Sequence, residues 1–431
     1  MAQKNEVHIN ATYHLRAGDD QRHDNKFEEY RRQWNENPKD DVVNAFPIHV
    51  DLEATSACNL QCPQCYQAYD ETRPKRAFMD MELFKRIIDE GEKKGLMSIK
   101  LQYRGESLLH KELPQMVKYA KDHGVIEVSF NTNATLLTKE KSKQLIEAGL
   151  DKIICSIDSH IPEIYNKIRR YNAKVEGNFN NTLANVRALI QLKKEMKVSH
   201  PIVRITTIDM PETHEIIQDY IKFWMNEGAD AVTTVDLNDY SIYKDERVLV
   251  SEGFTCEQPW QRLFVLADGL VTLCCGDLYQ KLPLGKFLTK AEEEHYKKHL
   301  KETGKVVAGE GLISENGTIK GIKKGDSVEI THLRITETSA NLNARTNPEK
   351  EYVKVVHSLE EVWRGAIVES VRQANRDGTS HRIAICKDCG YRNTTIKNKG
   401  LKHSIQERSQ KIDVSIGRIK YLDKGIEGYS S

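Results

Sequence analysis

The chain of 431 residues has no long apolar run. It opens MAQKNEVHINATYH, which contains neither the hydrophobic stretch of a signal sequence nor a membrane span, so a cytoplasmic protein with no membrane partner is expected. Excess charge of either sign is also missing. With 64 Lys+Arg against 63 Asp+Glu, the chain lacks the positive balance of a dedicated nucleic-acid binder, and no nucleic-acid partner is expected. Cysteine is scarce: nine residues are few for a secreted disulfide scaffold of this length. In a reducing compartment, clustered cysteines more often bind metal or do redox chemistry than pair with one another. A hydrophobic content of 39% still suffices for an ordinary core, and the length suggests two or three domains. There is no visible internal repeat.

Between about 48 and 250, short β-rich runs alternate with amphipathic segments of helical length, the pattern of repeated βα units and a parallel sheet. Six strands are expected, at 48–54, 98–103, 126–131, 152–158, 202–208 and 231–235. Patterns such as MELFKRIIDEGEKKG and KEKSKQLIEAGL, with apolar residues three and four apart and a glycine near the end, read as crossover helices. Residues 1–46 form a polar arm with a short helix at KFEEYRRQWNE, either wrapped on the barrel or partly disordered. After about 250 the pattern changes: LFVLADGLVTLCC reads as a hairpin about Asp268-Gly269, opening a smaller domain at 251–395. A β-rich insertion is expected at about 290–355, and a lysine-rich solvated tail or surface helix at 396–431.

Cys58, Cys62 and Cys65 directly follow the first expected strand, where parallel βα folds place reactive groups. What this cluster lacks is a fourth ligand. A structural zinc site normally closes with four, yet the next cysteine or histidine is His110, in a different βα unit. A [4Fe–4S] cluster on three thiolates leaves one iron open, which a small molecule bearing an amino and a carboxylate group can chelate.

The run Cys58-Asn59-Leu60-Gln61-Cys62-Pro63-Gln64-Cys65-Tyr66 resembles the C-x-x-x-C-x-x-C signature of radical S-adenosylmethionine (radical SAM) enzymes. Further segments are similar to that family's. Arg104-Gly105-Glu106-Ser107 resembles its Gly-Gly-Glu-Pro segment, which implies that Gly105 and Glu106 meet the methionine amino group; Arg104 and Ser107 depart from the pattern. The stretch from Ser129 through Asn131 to Asn133 resembles a Thr-Asn-Gly segment, and Cys155-Ser156-Ile157-Asp158 a Ser-Ile-Asp segment. The resemblance implies that Ser129, Asn131, Asn133, Ser156 and Asp158 lie beside the cofactor ribose and carboxylate. Arg169 and Arg204 stand where relatives supply a guanidinium to that carboxylate. Gln64 replaces an aromatic residue that relatives pack on adenine, leaving Tyr66 as the substitute. Taken singly, Ser156 and Asp158 could simply end a strand, and Arg169 could be a surface charge. If Ser156 and Asp158 point inward, alternation sends Cys155 outward as a small core residue.

A second set comprises Cys256, Cys274, Cys275, Cys386 and Cys389. Four thiolates suit zinc or an iron–sulfur cluster equally. Cys256, the Gly269-x-x-x-x-Cys274 hairpin, Leu284-Gly285-Lys286, the segment 358–363 and Cys386-x-x-Cys389 resemble the SPASM/twitch domain that follows many radical SAM barrels. The resemblance implies one auxiliary [4Fe–4S] cluster on Cys256, Cys274, Cys386 and Cys389. Cys275 is left spare, as a structural thiol or a hydrogen-atom donor to a substrate radical. The fold expected is thus α/β: a partial (β/α)6 TIM-like barrel over 47–250, then a small cysteine-rich SPASM/twitch-like domain carrying the β-rich insertion.

The resemblance implies reductive cleavage of S-adenosylmethionine to a 5′-deoxyadenosyl radical, fed by a flavodoxin- or ferredoxin-type reductant, and hydrogen abstraction from a substrate C–H bond. It offers two substrate classes, a sugar or cyclitol that is oxidised or epimerised, and a ribosomally made peptide. No leader-peptide-binding domain is legible ahead of the barrel, which favours the small hydroxylated molecule, although the insertion could itself dock a peptide. A different class stays open: a non-catalytic zinc or iron–sulfur electron-transfer protein on a degenerate barrel.

Overall fold

The computed structural model describes residues 5–8, 11–15, 24–68, 74–172, 174–236, 255–278, 280–294, 332–334, 352–387 and 389. The tail expected at 396–431 and the greater part of the insertion expected at about 290–355 lie outside the described residues.

An N-terminal hairpin, β1 (Asn5–His8) and β2 (Ala11–Leu15), precedes helix α1 (Asn25–Glu36). The βα units follow: β3 (His49–Leu52), α2 (Met81–Lys94), β4 (Ser98–Lys100), α3 (Leu113–Asp122), β5 (Glu127–Thr132), α4 (Lys139–Glu147) and β6 (Lys152–Ser156). They continue with α5 (Pro162–Ile168), α6 (Phe179–Met196), β7 (Ile202–Asp209), α7 (Ile217–Glu227) and β8 (Ala231–Asp236). Strands β3 to β8 lie side by side in sequence order and pair in parallel, as the alternation of strand and helix patterns requires. All six strands coincide with the expected runs to within three residues at either end.

The outer face of this sheet is apolar. Val50, Ile99, Val128, Ile153 and Val203 project from successive strands onto α2, α3, α4, α6 and α7, whose Phe84, Met116, Leu145, Val186 and Trp224 are fully or almost fully buried. Each such aliphatic or aromatic side chain contributes roughly 1.5–3 kcal/mol by leaving water. Cys155 belongs to this layer, 0% exposed within the core, because Ser156 and Asp158 take the inner side. The inner face is polar: Asp51, Lys100, Ser129 and Lys152 stand level with one another across β3 to β6.

At both edges the sheet goes beyond six strands. β2 pairs antiparallel with β8, so part of the polar arm, expected to be wrapped on the barrel or partly disordered, extends the sheet by a hairpin. On the other edge, β9 (Arg262–Val265), preceded by the short helix α8 (Gln258–Gln261), pairs in parallel with β3 and is followed by antiparallel β10 (Leu270–Thr272) and β11 (Pro283–Lys286). The hairpin about Asp268-Gly269 is therefore present, but its first strand prolongs the barrel sheet rather than standing apart from it. Gly269, at φ +85°, turns the chain where a Cβ would lie 2.3 Å from the Phe287 carbonyl oxygen. A separate pair, β12 (His332–Arg334) with β13 (Tyr352–Lys354), lies within the insertion.

Helix α1 sits under the N-terminal ends of the strands. Its Trp34 ring meets His49 edge-on at 5.5 Å and lies 5.5 Å from the Arg262 guanidinium. The helix Leu359–Trp363 docks on α2, whose Glu90 accepts from the Leu359 and Glu360 amides at 2.8 and 3.1 Å. Glu90 thereby supplies partners for two N–H groups that a helix start leaves open.

Candidate functional site

The cysteine loop leaves the C-terminal end of β3 and is pinned from several directions. The Ser56 amide donates to Ala77 O at 3.1 Å, the Gln61 amide to Arg170 O at 2.7 Å, and the Glu106 amide to Ala57 O at 2.8 Å. Gly105 lies so close beneath the loop that a Cβ would meet Thr55 O at 2.2 Å and Ala57 O at 2.5 Å. A hydroxyl–amide triangle adds a side-chain anchor: Asn133 Nδ2 donates to Asn59 Oδ1 at 2.9 Å, Asn59 Nδ2 to Thr135 Oγ1 at 2.8 Å, and that hydroxyl to Asn133 Oδ1 at 2.6 Å. The side chain of Asn133 is thus occupied in holding the loop between Cys58 and Cys62.

Cys62 is buried, and Cys58 and Cys65 are half-buried. Burial pushes the Cys58 thiol up to about 12, with the negative charge of Glu106 adding to the shift, and the Cys62 thiol up to about 11. Burial also raises Cys65. Arg169 opposes burial at Cys62 by charge and by a hydrogen bond. The same guanidinium donates Nε to Asp158 Oδ2 at 2.7 Å and Nη2 to Asp158 Oδ1 at 3.0 Å, so Arg169 bridges the end of β6 to the cysteine loop. Gln64 adds a third contact, donating Nε2 to Asp158 Oδ2 at 2.9 Å. Its position ahead of Cys65 therefore serves the Asp158–Arg169 pair.

Glu106 is 2% exposed and held by three donors: Thr132 Oγ1 and the Asn133 amide, each at 2.7 Å, and the Leu108 amide at 3.1 Å. Burial nonetheless outweighs these bonds and raises its pKa. Tyr66 is buried within electrostatic reach of Arg104 and Glu53. Ser129, Asn131, Ser156 and Arg204 all take the inner face of the sheet. Arg204 comes within electrostatic reach of Lys100.

The structure also gathers the second cysteine set. A Cβ on Gly276 would lie 3.4 Å from Cys389 Sγ and 3.8 Å from Cys274 Sγ, and the Cys256 thiol is raised by burial and by the charges of Cys389, Cys386 and Cys275. Cys275, within electrostatic reach of Cys256 and Cys274, is held by Gln258, whose Nε2 donates to its sulfur at 3.0 Å and whose Oε1 accepts from its amide at 3.2 Å. Asn375 fixes Cys256 by accepting from its amide at 2.9 Å, and buried Asp277 shapes the following turn by accepting from the Lys281 and Leu282 amides. Among the described residues, no group of three or more His, Cys, Asp or Glu side chains is arranged so as to hold a metal ion.

Several participants carry no sequence signal of their own. Gln258, Asn375 and Asn59 are polar residues whose partners lie as far as 119 positions away, and Glu53 with Arg104 forms an ion pair between strand ends. For that last pair a hint existed: an arginine displaces a glycine in the Gly-Gly-Glu-Pro-like segment, and a buried arginine needs an acid.

By donor type, both cysteine sets suit iron–sulfur ligation. The donor sets are thiolates of the soft kind such clusters take, and the first leaves one position to a non-protein ligand. Two buried oxygens on the first site, Asn131 Oδ1 and Gln64 Oε1, have no hydrogen-bond partner within the described protein, as expected of groups that serve a polar bound molecule.

Residues 52–219 match the family model described as Radical SAM superfamily. A "Tungsten-containing aldehyde ferredoxin oxidoreductase cofactor-modifying protein" of Pyrococcus furiosus is 28% identical over 192 residues, 44% of this chain and 51% of that protein. A "Probable GTP 3',8-cyclase" of Methanococcus maripaludis is 30% identical over 173 residues, 40% of this chain and 54% of that protein. The chain thus spans about half the length of the curated relatives it matches. Among solved structures, BtrN in complex with AdoMet and 2-DOIA covers 80% of this chain and 94% of its own, at 15% identity and a TM-score of 0.42. No helix among the described residues is long and apolar enough to cross a membrane. Residues 52–219 of this chain form a radical SAM domain, of the superfamily whose members bind a [4Fe–4S] cluster and S-adenosylmethionine.

Proposed function

We propose that this protein is a radical SAM enzyme that abstracts hydrogen from a C–H bond of a small hydroxylated molecule, sugar- or cyclitol-like, and oxidises or epimerises it. The observation that carries this reading is the half-buried loop of Cys58, Cys62 and Cys65 at the end of β3, with Arg169 reaching it and Glu106 locked beside it. When bound, the cluster and S-adenosylmethionine supply one-electron cleavage of the sulfonium and a carbon radical at the 5′ position.

The chain's own residues bind, orient and exclude water. Cys58, Cys62 and Cys65 are the cluster ligands. Glu106, oriented by Thr132 and two backbone amides, keeps lone-pair capacity for the methionine amino group. Arg169 offsets the negative charge of the thiolates while Asp158 fixes its plane. Asn131 Oδ1, Ser129 and Ser156 present polar atoms on the inner face to the rest of the cofactor. Cys256, Cys274, Cys386 and Cys389 hold an auxiliary [4Fe–4S] cluster, and Cys275, clamped by Gln258, stays outside that set. The polar inner face supports a hydroxylated rather than an apolar substrate.

The test is iron and sulfide content after anaerobic reconstitution, together with 5′-deoxyadenosine formation under dithionite. The natural protein should hold about eight irons, and the Cys58→Ala, Cys62→Ala, Cys65→Ala variant about four with no 5′-deoxyadenosine. Zinc in both proteins, with no cleavage of S-adenosylmethionine by either, would end this reading.

A further inference from the structure

Most cations on and around the inner face of the sheet are paired with acids. Arg104 takes Glu53 at 2.6 Å, Lys152 takes Glu127 at 3.0 Å, Arg169 takes Asp158 at 2.7 Å, and Arg262 takes Asp51 at 3.3 Å. Lys100 is left over. It stands on β4 between Asp51 on β3 and Ser129 on β5, and makes no hydrogen bond or ion pair with any described residue. Its ammonium comes within electrostatic reach first of the Asp51 carboxylate, which Arg262 and His49 already engage, and then of Arg262, the Cys275 sulfur and Arg204.

Below this level the interior is closed. Trp34 of α1 lies against His49 and the Arg262 guanidinium, and Tyr30 of the same helix is 2% exposed. Burial, with the two guanidinium groups adding to it, pulls the Lys100 pKa down against the opposing charges of Asp51 and Cys275, so the charged form is held at a net cost. A half-buried ammonium with no hydrogen-bonded partner among the described residues, and with two guanidinium groups within electrostatic reach, can accept an oxyanion.

We propose that Lys100, with Arg262 and Arg204, binds an anionic group of the substrate, a phosphate or a carboxylate, and so seats the molecule between the Cys58–Cys65 loop and Cys275. The inference rests on the proposed reading of the barrel as a substrate chamber and adds the substrate's charge class. The bound end would lie low in the barrel near α1, leaving the remainder to extend toward the cysteine loop at the strands' C-terminal ends.

The experiment is a thermal-shift titration of the anaerobically reconstituted full chain with inorganic phosphate and, separately, with acetate, against sodium chloride at matched ionic strength. A ligand that binds only the folded state raises the midpoint saturably. A saturable rise with at least one oxyanion is expected, lost in Lys100→Met, weakened in Lys100→Arg and kept in Lys93→Met, an exposed lysine of α2. Which oxyanion acts identifies the group as phosphate or carboxylate. No saturable rise with either probe in the natural protein, or an equal rise in Lys100→Met, overturns the proposal. Formation of 5′-deoxyadenosine by the natural protein, measured separately, reports on the radical SAM reading: cleavage without an oxyanion shift sinks the anion site alone, and a shift without cleavage sinks the enzymatic reading alone.

Discussion

Arg104 and Glu53 form a buried bidentate pair, Nε to Oε1 at 2.6 Å and Nη2 to Oε2 at 2.7 Å, with both side chains at most 5% exposed. Glu53 also accepts from the Ala267 amide at 3.0 Å, and Tyr103 beside Arg104 donates its hydroxyl to Cys274 O at 3.4 Å. One ion pair therefore ties the end of β3, the end of β4 and the hairpin that carries Cys274 and Cys275. Removing one partner leaves the other charged and unpaired in the interior. Arg104→Met should lower stability by about 3–5 kcal/mol in urea unfolding, and adding Glu53→Gln should recover part of that loss. Additive losses in the double variant would show that the pair does not act as a unit.

Gly105 is a steric requirement of the cysteine loop, since any Cβ there overlaps two backbone carbonyl oxygens. Backbone cannot move aside as a side chain can. Gly105→Ala should destabilise the chain by about 1–3 kcal/mol and displace the loop, so that reconstituted iron falls toward the level of the triple cysteine variant. A fully loaded Gly105→Ala protein would show that the loop tolerates the shift.

The remaining free thiol of the barrel gives a contrasting expectation. Cys155 is 0% exposed in the layer between sheet and helices, and burial pushes its thiol far up. Cys155→Ala should cost about 1 kcal/mol of stability and leave iron content and 5′-deoxyadenosine formation unchanged. Lost iron in this variant would make Cys155 a ligand and contradict its place in the core.

Much of this was legible in the sequence because the signals were local. Alternating residues in 152–156 fixed which side chains face inward, and the helix patterns of α2 and α4 carried their own stops, Gly95 and Gly149, both at positive φ. The cysteine spacing and strand-end position of Cys58, Cys62 and Cys65 likewise needed no distant partner. What could not be read was pairing across long sequence separation. Nothing in PWQRLFV announces that β9 will lie parallel beside β3 rather than begin a separate unit, and nothing near Gln258 announces its amide pair with Cys275. Asn133 illustrates the difference: its place after β5 was readable, but its engagement with Asn59 depends on how two loops meet.

The thiols make a pH prediction whose sign can be worked out. In the metal-free folded chain, burial raises Cys58 to about 12 and Cys62 to about 11, whereas an unfolded cysteine ionises near about 8.5. As pH rises through this interval the unfolded chain releases protons that the folded chain still holds. Stability that is fully present below about 8.5 is therefore lost progressively up to about 11 to 12. The midpoint of thermal unfolding for the metal-free natural chain should fall more steeply between about pH 8.5 and 11 than that of the Cys58→Ala, Cys62→Ala, Cys65→Ala variant. That comparison cancels the buried tyrosines common to both. In the reconstituted natural protein the extra slope should vanish, because ligated thiols have already released their protons. Equal slopes for the metal-free natural and variant chains would mean that these thiols do not stay protonated in the folded loop, and that the loop presents preformed thiolates to the cluster.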